Sequence, residues 1–281
     1  MSHMLNDIAV FFDDSEEGQR LLGFAADLAV EHGAHLIGIC VASTPGLLPQ
    51  DGFARGKAGP EVIHRHDAST TARLLRAGKC LTLVAARRGI AAEFRVVPPS
   101  DSGSDLALHS LYCDLVVVGD SDGSQTPPAW SSVRSLRQTG VPLLIIPRAW
   151  SGSRIGRRIV VAWNGSRQAR RALSDALPLL VAAHWVNLLL VDPDRVPGRH
   201  GEEPGADMAA YLARHGVEVE VVRIASGERP VASALLAHAQ EIGADLLVFG
   251  AYSRARLSEA VLGGVTRTLL AEPPLLLFVS H

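Results

Sequence analysis

Three short segments in the second half of the chain have the residue types to hold a phosphorylated ligand. Ala162-Trp163-Asn164-Gly165-Ser166 closes one apolar run and Phe249-Gly250 closes another, while Gly263-Gly264-Val265-Thr266 opens a helical turn. Glycine lets backbone amides approach a phosphate without a side chain in the way, and amides at a helix N-terminus carry partial positive charge. Brought to one sheet edge, these segments make an anion cradle. The pair Gly263-Gly264 equally suits close packing of a loop on a sheet with no ligand. Arg254, Arg256 and Arg267 flank the loop, either to neutralise phosphates or as solvent-exposed helix flanks.

Other motifs carry less. Gly119 to Gly123, GDSDG, matches the nucleophile elbow GxSxG after a strand, but Thr126-Pro127-Pro128 delays the helix that would build an oxyanion hole, which favours a chance match. His64-Arg65-His66-Asp67 is not a metal set, because two histidines one residue apart point to different sides of a helix. Cys40, Cys80 and Cys113 form no CxxC pair and read as reduced core or near-core thiols. Trp163 and Trp185 read as core or interface aromatics, and His109, His215 and His238 as structural or exposed.

The elements that must position the cradle occur twice. Ile8 to Ser15, IAVFFDDS, is echoed by Ile159 to Ser166, IVVAWNGS; DLVVVG at 114–119 by DLLVFG at 245–250; and VPLLIIP at 141–147 by PLLLFV at 274–279. A repeat of about 130 to 150 residues has the size of a whole domain rather than of a solenoid unit. In the first copy the pattern predicts strands at 5–12, 35–41, 90–97, 114–118 and 141–146. Helices are predicted at 16–32, where Asp14 and Glu17 fit a capping box, and at 61–88, 105–112 and 129–139, with a Gly/Pro-rich loop over 43–60. In the second it predicts strands at 159–163, 185–191, 217–224, 246–249 and 274–279, alternating with helices at 167–182, 206–215, 231–242 and 258–271. Strands separated by helices form parallel crossovers, and near-continuous Val, Leu and Ile is what burial on both faces demands. The expected fold is α/β, two tandem doubly wound five-stranded parallel-sheet domains, 1–150 and 151–281, joined by the linker 148–157. In such a sheet a ligand sits outside the carboxyl ends of the strands where strand order reverses, between the first and fourth strands of a copy.

Composition excludes some classes. With 27 basic and 29 acidic side chains the formal charge is −2, so nothing suggests a surface for nucleic acid or anionic lipid. The longest apolar stretch, 177–191, is interrupted by His184 and Asn187 and is too short to span a bilayer. No signal peptide precedes Leu5 and no cysteines are paired, so the expected location is cytoplasmic.

From the opening strand and its D-G-S-like turn to the closing strand, both copies resemble the universal stress protein family in its tandem form, whose fold is adenine nucleotide alpha hydrolase-like. The family's nucleotide-binding members carry Gly, two residues, Gly, nine residues, Gly, then Ser or Thr. Gly250 and Gly263 hold the outer glycine positions, Ser253 stands at the middle one, and Gly264 replaces the hydroxyl residue. Asn164 replaces the Asp that usually ends the first strand, and Thr266 could offer a hydroxyl from the next turn. The resemblance implies a nucleotide site made of Ala162, Asn164, Val191, Phe249, Gly250, Ser253, Gly263, Gly264 and Val265, with weakened or altered binding of ATP or another adenine nucleotide. No metal ligand and no catalytic residue are assigned.

The first copy keeps Asp13 but places Asp122 and Ser132 at the second and third glycine positions, and its acidic loop would repel phosphate, so this site is expected to be empty. The reading is a stress-related binding or regulatory module. The alternatives are a nucleotide-free scaffold and a weak ATP-hydrolysing enzyme, which would need a water-activating base that these loops do not offer. The closing strands 141–146 and 275–279 are strongly apolar, and because family members commonly pair such edge strands the resemblance implies that the two copies imitate a dimer within one chain; further homo-oligomer formation and unidentified protein partners are also expected.

Overall fold

The computed structural model describes residues 4–42, 58–97, 109–120, 139–152, 155–195, 201–251, 264–271 and 273–281, with the side chains of 58–67 left aside. Ser253, Gly263, Asp122, Ser132, Arg254, Arg256, the GDSDG tract from Ser121 onward and all but Thr139 of the helix expected at 129–139 lie outside these residues, as does most of the one expected at 105–112. The described residues divide into two compact units, one of residues 5–118 with Thr139 and one of residues 140–281 with Met4, Gly119 and Asp120.

In the first unit, β1 (Asp7–Phe11), α1 (Glu16–His32), β2 (His35–Val41), α2 (Ala58–Arg88), β3 (Ala92–Val97) and β4 (Leu115–Gly119) follow in order. The strands are parallel and lie in the order β3-β2-β1-β4. The chain therefore steps outward from β1 to β3 and returns to the other side of β1, which puts the reversal point between β1 and β4. Ile8, Ala9, Val10, Leu115, Val116 and Val117 are fully buried, as covered faces on both sides require. The outermost strand β3 differs, with Glu93 and Arg95 joined by an ion pair along an edge that charge keeps from pairing further.

The second unit holds β5 (Leu143–Ile146), β6 (Arg158–Ala162), α3 (Arg167–Asp175), α4 (Leu177–Ala182), β7 (Trp185–Val191), α5 (Ala206–Arg214), β8 (Val219–Ile224), α6 (Val231–Glu241), β9 (Leu246–Gly250), α7 (Gly264–Ala271) and β10 (Leu276–Ser280). Strand order is β5-β10-β9-β6-β7-β8, and β6 to β10 are parallel, so this reversal falls between β6 and β9. β5, the closing strand of the first copy, runs antiparallel to β10, with Ile145 opposite Leu277.

Both copies use one device to set the register at the reversal point. The Asp114 carboxylate accepts from the amides of Asn6 and Asp7, at 2.7 and 3.1 Å, and Asp245 accepts from those of Arg157 and Arg158, at 2.9 and 3.2 Å. The aspartate of each DL-V-G run thus satisfies two strand-start donors that no ladder partner reaches. Burial raises the Asp245 carboxyl above its ordinary range, partly offset by these amides.

Two local expectations are corrected. The cap of α1 is Ser15, whose Oγ accepts from the Gly18 amide at 3.0 Å, and not Asp14 with Glu17; Asp14 is drawn to two arginines and Glu17 pairs with Arg20. The single helix expected over 167–182 breaks at Ala176 into α3 and α4, because Pro178 has no amide to continue the ladder.

Candidate functional site

The carboxyl ends of β6, β7 and β9 converge in the second unit. Ala162 is opposite Leu189 in the β6–β7 ladder, and the last bond between these strands runs from the Trp163 amide to the Leu189 carbonyl at 2.9 Å. On the other side of β6, Val161 is opposite Val248, so Phe249 and Gly250 extend past its end. Ala162, Asn164, Val191, Phe249 and Gly250 are therefore grouped at one sheet edge, and Gly264 and Val265 open α7.

Beyond β6 the chain turns through Gly165, at φ +65°, into α3. Asn164 Oδ1 accepts from the Ser166 amide at 3.1 Å, and Ser166 Oγ caps the helix by accepting from the Ala169 amide at 3.1 Å. The exposed Asn164 thus spends its oxygen on its own turn and leaves its amide donors unengaged among the described residues. Gly250 has a structural duty as well: a Cβ there would lie 2.3 Å from the Gln168 carbonyl carbon and 2.4 Å from the Ala169 nitrogen. Only glycine lets β9 end directly against the first turn of α3. Ser280 Oγ donates to Asp175 at 2.6 Å, and Arg171 binds the same carboxylate, so α3 is also fixed to the end of β10. Thr266 is buried at 4% exposure, inside the first turn of α7.

At the matching edge of the first unit the chemistry is reversed. Asp13 Oδ1 is folded back onto the amide and hydroxyl of Ser15, and it would stand 2.4 Å from a Cβ at Gly18. Asp14 receives Arg73 Nε at 3.2 Å and Arg76 through Nε at 2.9 Å and a terminal nitrogen at 2.7 Å, while Arg73 also lies 3.5 Å from Asp13. Burial pushes the Asp14 carboxyl up, but the two guanidinium groups outweigh it and hold the carboxyl below its ordinary range. The helix that follows opens with Glu16 and Glu17, whereas the first turn of α3 has no acid and begins with Arg167. Arg170 and Arg171 come next, stacked 4.5 Å over Tyr211 and paired with Asp175. Arg73 and Arg76 escape a reading of the sequence, since they stand 59 and 62 residues from Asp14 with no local pattern to link them.

Burial holds the thiols of Cys40 and Cys113 up at about 11 and also raises that of Cys80, so these are protonated side chains rather than nucleophiles. His238 bonds the buried Asn187 at 3.2 Å and so ties α6 to β7. Among the described residues no group of three His, Cys, Asp or Glu could hold a metal, and no helix is long and apolar enough to cross a membrane.

The universal stress protein family model matches residues 4–130 and 156–275, that is, both copies. The chain belongs to the universal stress protein family. A universal stress protein from Archaeoglobus fulgidus DSM 4304 shares the fold at 18% identity, covering 98% of each chain with a TM-score of 0.68. A putative universal stress protein from Pseudomonas aeruginosa UCBPP-PA14 does so at 16% identity, covering 98% of this chain and 93% of its own with a TM-score of 0.61. No curated protein matches the sequence.

Proposed function

We propose that this universal stress protein is a cytoplasmic stress-related binding and regulatory module, in which the copy at 151–281 binds ATP or another adenine nucleotide and the copy at 1–150 binds none. The observation that carries this reading is the opposite electrostatics of two equivalent edges. In the first, Asp13, Asp14, Glu16 and Glu17 surround the reversal point, and the nearby guanidinium groups are already engaged by carboxylates. In the second, a neutral Asn164 with free donors faces a helix start that carries Arg167 and no acid. An anion gains from the helix dipole and positive charge at the second edge and is repelled at the first. The proposed site comprises Ala162, Asn164, Val191, Phe249, Gly250, Ser253, Gly263, Gly264 and Val265.

Binding would shift the protein toward the liganded conformation and so alter a surface read by a protein partner. The test is mass analysis of nucleotide released from the gently denatured protein, repeated on Gly263→Asp and Ser132→Asp. Adenine nucleotide should be released by wild type and Ser132→Asp and be lost from Gly263→Asp. Equal loss from both variants contradicts the assignment.

A scaffold role is favoured by one separate observation, the antiparallel pairing of β5 and β10. Under that reading the protein works through strand-paired assembly, including homo-oligomers, without a guest. Failure to bind any nucleotide would leave it as the better description.

A further inference from the structure

Asp192, directly after β7, has φ +50° and is the one residue other than glycine with positive φ among those described. An L side chain is strained in this conformation, and a strained residue persists where its surroundings hold it. The holding groups are visible. The Asp192 carboxylate accepts from the Ser226 amide at 2.9 Å and the Ser226 hydroxyl at 2.5 Å, and meets Arg195 at 3.2 Å; its side chain is 9% exposed. Arg195 donates in turn to the Gly227 carbonyl at 3.3 Å. The segments leaving β7 and β8 are thus clasped together.

The clasp adjoins the peptide plane that joins Val191 to Asp192. The Asp192 amide donates to the Ile224 carbonyl at 2.9 Å, toward β8. In a trans peptide the carbonyl points opposite to the amide, so the Val191 carbonyl is turned away from β8 toward the β6 side. By strand alternation the Val191 amide points the same way, beyond the last β6–β7 bond at Trp163. A donor and an acceptor are therefore presented side by side at the crevice, a pairing that suits the edge of a nucleobase. The first copy has the same strand geometry, with the Ala42 amide donating to the Val97 carbonyl at 2.9 Å, but alanine offers no carboxylate and Ala42 has no positive φ.

We infer that Asp192, through Ser226, is a positioning residue that fixes the Val191 peptide for the base of the nucleotide, present only in the copy that binds one. The inference rests on the nucleotide reading above. Affinities for ATP, GTP and inorganic tripolyphosphate are to be measured by calorimetry on wild type, Asp192→Ala, Asp192→Gly, Asp192→Asn and Ser226→Ala. Asp192→Gly is decisive, because glycine adopts the backbone conformation freely and removes only the clasp. ATP affinity should fall about tenfold in the Ala and Gly variants and less in Asn, which tolerates positive φ and keeps one acceptor. It should fall in Ser226→Ala too, ATP should lose its margin over GTP, and tripolyphosphate affinity should not change.

Wild-type ATP affinity and selectivity in Asp192→Gly, or equal losses of ATP and tripolyphosphate, overturn the role of Asp192 while leaving the nucleotide site standing. A wild-type protein that binds neither ATP nor tripolyphosphate overturns the nucleotide reading and this inference with it. Should Asp192→Ala fail to fold, Asn and Ser226→Ala still decide the matter.

Discussion

Replacing Gly250 by alanine isolates the contact that brings β9 and α3 together. The added Cβ would lie 2.3, 2.4 and 2.5 Å from three backbone atoms of Gln168 and Ala169, inside the 3.0 Å below which real Cβ atoms are essentially never found. No side chain can rotate away, so the helix start or the strand end must shift. Overpacking of this kind costs about 1–3 kcal/mol, and the rigid partner places Gly250→Ala near the upper end, about 3 kcal/mol. For a unit of this size that lowers the melting temperature by about 6–12 °C. Two controls separate crowding from backbone conformation. Gly243 has φ +63° with nothing within 4 Å of a Cβ, so alanine there costs about 1 kcal/mol from backbone strain alone. Gly264 has open space and no positive φ, so alanine there is neutral or stabilises by up to about 1 kcal/mol. Thermal and urea denaturation without nucleotide, with circular dichroism to verify folding, should rank wild type and Gly264→Ala above Gly243→Ala and Gly250→Ala last. A Gly250→Ala protein that melts with wild type would refute the close approach and leave Gly250 to be explained by a ligand alone.

At Gly264 the open space also admits a hydroxyl, so Gly264→Ser should tighten ATP by about tenfold through one hydrogen bond to a charged acceptor; unchanged affinity would place the phosphates elsewhere. Acid should weaken the first unit through Asp14, whose folded carboxyl lies below its unfolded value because of Arg76 and Arg73. Its contribution is complete above the unfolded pKa of about 3.9 and is lost as pH falls through the lower folded value. Urea midpoints between pH 7 and 2.5 should therefore drop more steeply for wild type than for Asp14→Asn, and parallel curves would contradict the ion pairs.

Much of the framework was legible because burial on both faces leaves few residue choices: runs such as LVVVG and LLVFG could hardly be anything but interior parallel strands. The repeat revealed that each run begins with aspartate but not why, since the amides of Asn6, Asp7, Arg157 and Arg158 lie 87 to 108 residues away. Helix ends are less legible. Asp14 resembled a cap in sequence, yet the arginines of α2 draw it off and leave Ser15 to cap. Pro178 signalled the break between α3 and α4 plainly enough, but the apolar periodicity continued through it. At the candidate site, Asn164 and Gly250 could be picked out by their place after strands, and the duty of Gly250 against α3 could not. Asp192 was silent for a physical reason: positive φ depends on Ser226, a partner brought close only by the pairing of β7 with β8.

The most direct test of the proposed division between the copies is the stoichiometry of ATP binding to the purified full chain, followed by calorimetry. A single site per chain is expected, lost in Gly263→Asp and retained in Ser132→Asp. Two equivalent sites, a site that survives Gly263→Asp, or no binding at high ligand excess would contradict it.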